Sequence, residues 1–157
     1  QAKAVCQVEQ TFMATWRDVR GIALSLPGAS EDRKPGRNVA WIVGGRFFAW
    51  DRPLRKPDLV ALGHKAPSGP ILGIRTDGLE MKEALLAHDP RIFFTTPHFD
   101  GYPAVLVRLQ TISVKKLREV IVEAWLARAL PRVAAEFSSP RPKRPRRLPV
   151  RTRSSGQ

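Results

Sequence analysis

Asn38 to Asp51, NVAWIVGGRFFAWD, places two apolar runs on either side of Gly44-Gly45. A two-residue connection of this kind needs positive φ at both positions, which glycine adopts freely, and its backbone twist matches that of the strands it joins. An antiparallel hairpin is therefore fixed near the middle of the chain. Trp41, Val43, Phe47 and Ala49 alternate with further apolar residues, so both faces of the hairpin are expected to be partly covered.

The elements around the hairpin follow from periodicity and punctuation. Thr15 is placed to cap a helix whose apolar positions Trp16, Val19, Ile22, Ala23 and Leu26 recur at helical spacing. Leu26-Pro27-Gly28 ends it, because proline cannot continue the hydrogen-bond ladder. SEDRKPGR then reads as polar strand or loop, and ILGIRT as another strand. DRPLRKPDLVALGHKAPSGP, with four prolines and two glycines around Leu59 to Leu62, reads as a long irregular connection. Asp77 opens a short helix, GLEMKEALLAH, with Leu79, Met81, Leu85 and Leu86 on its apolar side, and Asp89-Pro90 stops it. Ser113 caps the last helix, where Val114, Leu117, Val120, Ile121, Ala124 and Trp125 form one stripe.

Between these two helices lies Phe93 to Leu109, FFTTPHFDGYPAVLVRL. It gathers a histidine, an aspartate and a tyrosine, but Pro97 and Pro103 fix dihedrals and Asp100-Gly101 is a preferred turn pair. The segment reads as two strands closed by a turn, with His98 placed to hold the turn's shape. Phe99 and Tyr102 are expected at the tip, and with His98 they are the candidate partner-binding residues. Helices at both ends and a run of antiparallel strands predict an α+β two-layer sandwich, with a sheet of about five strands packed on the N- and C-terminal helices.

The 157 residues are 43% hydrophobic, enough for one core. No apolar run is long enough to span a membrane. Cys6 is the single cysteine, which fits a reducing, cytoplasmic setting. Residues 1–12 lack a signal-peptide pattern. They are expected to be a disordered upstream extension, with Met13 as the natural start. Residues 13–137 form the expected domain. Residues 138–157 hold seven Arg or Lys and no acid, and residues 1–12 are neutral, so the net +13 falls to +6 for the domain. Prolines and like charges predict a disordered tail there.

Five segments, TWRDVRGIALSLPGASE, GRFFAWDRPLRK, GPILGIRT, FFTTPHFDGYPAVLVRL and LREVIVEAWLARALPRVA, occur in an order that resembles the MmcQ/YjbR-like proteins. The likeness runs from about Met13 to Phe137. It implies a small antiparallel sheet on helices, related to secretion-chaperone-like and CyaY-like domains. Members carry a DNA-binding label from a likeness to a double-wing motif, an analogy of shape. One departure falls at the last helix, where a Pro-Lys/Arg pair is expected and the chain reads Ala129-Leu130-Pro131-Arg132.

No catalytic residue is assigned, because no serine lies in a nucleophile elbow and His98, Asp100 and Tyr102 are sequence neighbours rather than partners from distant segments. His64, His88 and His98 are 24 and 10 residues apart, without the spacing that sets two imidazoles on one helical face. Neither metal nor cofactor is expected, and His88 reads as a helix C-terminal residue. Nucleic-acid contacts are expected from Arg33, Lys34, Arg37 and Arg46 about the hairpin, from Arg52, Arg55 and Lys56 after it, and from Arg144, Arg146 and Arg147 in the tail. The leading expectation is weak, non-catalytic DNA binding through phosphates. A second is a protein or peptide interaction module using the sheet face or an edge strand. A third is small-molecule binding or enzyme chemistry between the 51–70 segment and the His98 turn.

Overall fold

The computed structural model describes residues 13–138. The expected extension at 1–12 and the basic tail, with Arg144, Arg146 and Arg147, lie outside the described residues.

Helix α1 (Trp16–Ser25) begins in a capping box: the Thr15 hydroxyl accepts from the Asp18 amide, and the Asp18 carboxylate accepts from the Thr15 amide at 2.8 Å. Such a cap contributes about 1 kcal/mol. The predicted stripe is the buried one, with Val19, Ile22 and Ala23 facing inward. The strands are β1 (Ala29–Asp32), β2 (Ala40–Val43), β3 (Arg46–Asp51), β4 (Ile71–Arg75), β5 (Phe93–Phe94) and β6 (Ala104–Arg108). They form one antiparallel sheet in the order β1-β2-β3-β4-β6-β5. The hairpin is β2–β3, with Gly44 and Gly45 at φ 57° and 76°. A register shift between Trp41 and Ile42 brings the neighbours Phe48 and Ala49 both into the interior. SEDRKPGR supplies the sixth strand, β1, at the edge.

Alternation along the strands makes two cores. Leu72, Ile74, Phe93, Val105 and Val107 point toward α1 and α4 (Val114–Leu126) and join the main cluster with Leu117, Ile121 and Trp125. Ile71, Phe94, Ala104 and Leu106 point the other way and form a smaller cluster with Phe99. The Ser113 hydroxyl caps α4 by accepting from the Lys116 amide at 3.2 Å. The Trp125 indole N–H donates to the Pro27 carbonyl at 3.0 Å, tying α4 to the turn after α1.

Three expectations are corrected. The 51–70 segment is not irregular throughout, since α2 (Lys56–Leu62) and a 3-10 turn at Gly63–Lys65 lie within it. Pro57 sits in the first helical turn, where its missing N–H costs nothing, and the Asp58 carboxylate accepts from the Arg55 amide at 2.8 Å. Helix α3 (Gly78–His88) buries its expected side only in part: Leu85 and Leu86 pack half-buried on the main core, Leu79 and Met81 are exposed, and its one fully buried residue is Lys82. The closing helix is two helices, α4 and α5 (Pro131–Ser138). The break falls where the chain reads Ala129-Leu130-Pro131-Arg132, because Pro131 can start a helix but not continue one.

Candidate functional site

The smaller core does not cover the whole second face of the sheet, and beside it opens a cleft of about 770 Å³. Its floor is set by Gly73. This residue pairs with Trp50 across β3–β4, and a Cβ at position 73 would overlap the indole ring. Glycine thus lets Trp50 lie against the sheet, where Phe47 meets it edge-on at 5.7 Å and Phe99 at 6.4 Å between ring centroids. Gly73→Ala is expected to displace Trp50 and to cost about 1–3 kcal/mol through overpacking. Denaturant unfolding followed by tryptophan emission measures it, and an unchanged midpoint would show that the indole has room to move.

The far wall is the turn read in FFTTPHFDGYPAVLVRL. β5 and β6 pair as expected, Phe93 with Val107 and Phe94 with Leu106, and a 3-10 turn at Pro97–Phe99 joins them. Its tip is a correction. Phe99 is 5% exposed and belongs to the smaller core, whereas His98 and Tyr102 are exposed. Among the described residues the His98 imidazole makes no hydrogen bond; its ring meets the Phe99 ring edge-on at 4.9 Å. The turn is held instead by Lys82, whose buried ammonium donates to the carbonyls of Phe99 and, at 2.9 Å, Tyr102. Burial lowers the Lys82 pKa, and the charge of Asp100 opposes that shift.

Arg52 is the second correction, because it is not free to meet a phosphate. Its side chain is 8% exposed, pairs with Asp58 at 3.0 Å and lies 5.3 Å from the Phe99 ring centroid. Burial alone would raise the Asp58 pKa. Hydrogen bonds from the Arg55 amide and Arg52, with the charge of Arg52, hold it below the ordinary carboxylate value. The pair fastens α2 and the turn to the end of β3. The 51–70 segment and the His98 turn meet where the Arg52 guanidinium lies against the Phe99 ring.

The remaining hairpin cations divide. Arg33 pairs with Glu31 at 2.9 Å and Lys34 with Asp32 at 3.8 Å, so both are partly neutralised on the β1 side. Glu31 also receives Arg20; against burial, which raises its pKa, the two arginines lower it. Arg37 and Arg55 line the cleft with His98 and Tyr102, together with two acids, Asp51 and Asp100. Burial raises the Asp51 pKa. Lys56 is exposed in the first turn of α2. Arg46 stands at the opposite end of β3, near Arg128. One continuous basic rim along the hairpin is therefore replaced by separate groups, of which Arg37 and Arg55 line the aromatic cleft.

Lys82, Gly73, Arg75 and Arg128 were not singled out by sequence. The one visible signal was Lys82 interrupting the apolar side of GLEMKEALLAH. Among the described residues no three His, Cys, Asp or Glu side chains are grouped to hold a metal ion, and no helix is long and apolar enough to cross a membrane.

Residues 24–127 match the family described as YjbR. The chain is 48% identical over 128 residues to the uncharacterized proteins Rv2570 of Mycobacterium tuberculosis and Mb2600 of Mycobacterium bovis, covering 80% of this chain and 96% of each relative. Its fold is similar to the crystal structure of Deinococcus radiodurans protein DR2400, a DUF419 domain. The TM-score is 0.57 at 20% identity, over 82% of this chain and 91% of the other.

Proposed function

The chain belongs to the YjbR family, and we propose that it is a non-catalytic nucleic-acid-binding domain that takes an unpaired stretch of DNA into the cleft. The observation carrying this reading is the lining: the cleft is lined by the aromatic residues Phe47, Trp50 and Tyr102 together with Arg37 and Arg55. Every base has a π-face, so aromatic platforms bind without reading sequence, at about 1–3 kcal/mol per stacked base. Guanidinium groups beside them suit the phosphates that link successive bases. The basic segment at 141–153 adds sequence-independent attraction that falls with salt.

Anisotropy of a labelled single strand and of the matching duplex, titrated with the full chain across a salt series, tests this. The single strand is expected to bind more tightly. Phe47→Ala, at a side chain already 49% exposed, is expected to weaken it by about 1–3 kcal/mol. Removing Arg37 or Arg55 should lower the salt slope by about 0.7 each. Equal affinities for wild type and Phe47→Ala at every salt would move the binding to the tail and end the cleft reading.

The edge-strand alternative has less support. β1 is four residues long with two acids, and β5 is two residues long. Short, charged edges are poor templates for strand addition.

A further inference from the structure

Arg46 opens β3, Arg75 closes β4, and Tyr102 precedes β6, so antiparallel order brings all three to one end of the sheet. Arg128, just past α4, reaches the same place. The Arg75 guanidinium lies 4.5 Å from the centroid of the Tyr102 ring. Among the described residues its Nε and one terminal nitrogen are buried without a hydrogen-bond partner, and so is Nε of Arg128. Burial first, and then the charges of Arg75 and Arg46, lower the Arg128 pKa; only Tyr102 opposes them. No carboxylate pairs with any of the three arginines among the described residues, although Asp77 and Glu123 share a shallow depression with Arg75. Buried guanidinium N–H groups without acceptors are destabilising, and clustered cations disfavour one another. Such an arrangement is stable once an anion enters it.

We infer that Arg46, Arg75 and Arg128, around the Tyr102 hydroxyl, form a binding site for a phosphate group. Three forked donors match phosphate oxygens, and a tyrosine hydroxyl has a proton to donate to the anion. The site does not depend on nucleic-acid binding. Tyr102 also lines the cleft, so a ligand with a base in the cleft could place a phosphate here.

Tyr102 is the only tyrosine in the chain, so ring-labelled tyrosine gives one NMR signal that reports this site and not the basic tail. Titrating the full chain with pyrophosphate is expected to move that signal to saturation, and sodium chloride at equal ionic strength is not. Arg128→Gln is expected to weaken the response about tenfold or more, and Arg75→Gln likewise; Arg33→Gln should leave it unchanged. Arg128→Gln with an unshifted melting temperature is the deciding variant. No saturable shift, or one reproduced by chloride or left intact in both variants, overturns the site. Competition by single strands with and without a 5′-phosphate then separates sources. Stronger displacement by the phosphorylated strand assigns the group to a strand end, and equal displacement assigns it to a free phosphate compound.

Discussion

Asp58→Ala is expected to lower the unfolding free energy by about 3–5 kcal/mol, the cost of leaving one member of a buried ion pair alone. Arg52 would keep its charge behind an 8% exposed surface with its carboxylate partner gone. The Arg55 amide, which the same carboxylate caps, would lose its acceptor. Replacing both partners, as in Arg52→Met with Asp58→Leu, should cost less than Asp58→Ala, since no isolated charge remains. Denaturant titrations of the three proteins check this ordering, and a double variant weaker than Asp58→Ala would mean that the pair's attraction exceeds its desolvation cost. The sign with pH follows from the lowered Asp58 pKa. Its contribution is complete above the ordinary carboxylate value and is lost as pH falls through the folded-state value. Asp58→Ala should therefore flatten the acid limb of the stability profile.

The parts of the fold legible in sequence were those with local causes. Gly44-Gly45 fixes a hairpin because only its backbone conformation is at issue, and Thr15 and Ser113 cap helices because their partners lie three residues away. Helix α2 was hidden because its stability comes from Asp58 meeting Arg52, a buried contact that proline and glycine counts do not register. The cleft was hidden for a similar reason. Trp50 lies as it does because position 73, on a different strand, has no side chain. Arg46 was named for a hairpin rim, whereas its neighbours Arg75 and Arg128 come from the end of another strand and from a helix terminus. Charge runs are visible along a chain, and convergence of single charges at one end of a sheet is not.

Lys82→Met is expected to lower stability by about 2–4 kcal/mol, because two hydrogen bonds from a charged donor, at about 1.5–3 kcal/mol each, are lost and part is returned when the buried charge is removed. The effect should be local in its origin. Phe99 and Tyr102, 17 and 20 residues away, would keep carbonyls with no ammonium to receive. The amides of Phe99, Asp100 and Tyr102, which close the turn onto Thr96, Pro97 and Phe99, should exchange with solvent faster, while those of α1 and α4 keep their protection relative to global unfolding. Tyr102 would then leave the wall that it shares between the cleft and the arginine cluster, so single-strand binding and the pyrophosphate response should fall together. Full protection of the turn amides in Lys82→Met would instead place its restraint in Phe99 burial alone. The His, Asp and Tyr that make this turn look reactive stand on its outer side, and the residue that holds it is a lysine on the preceding helix.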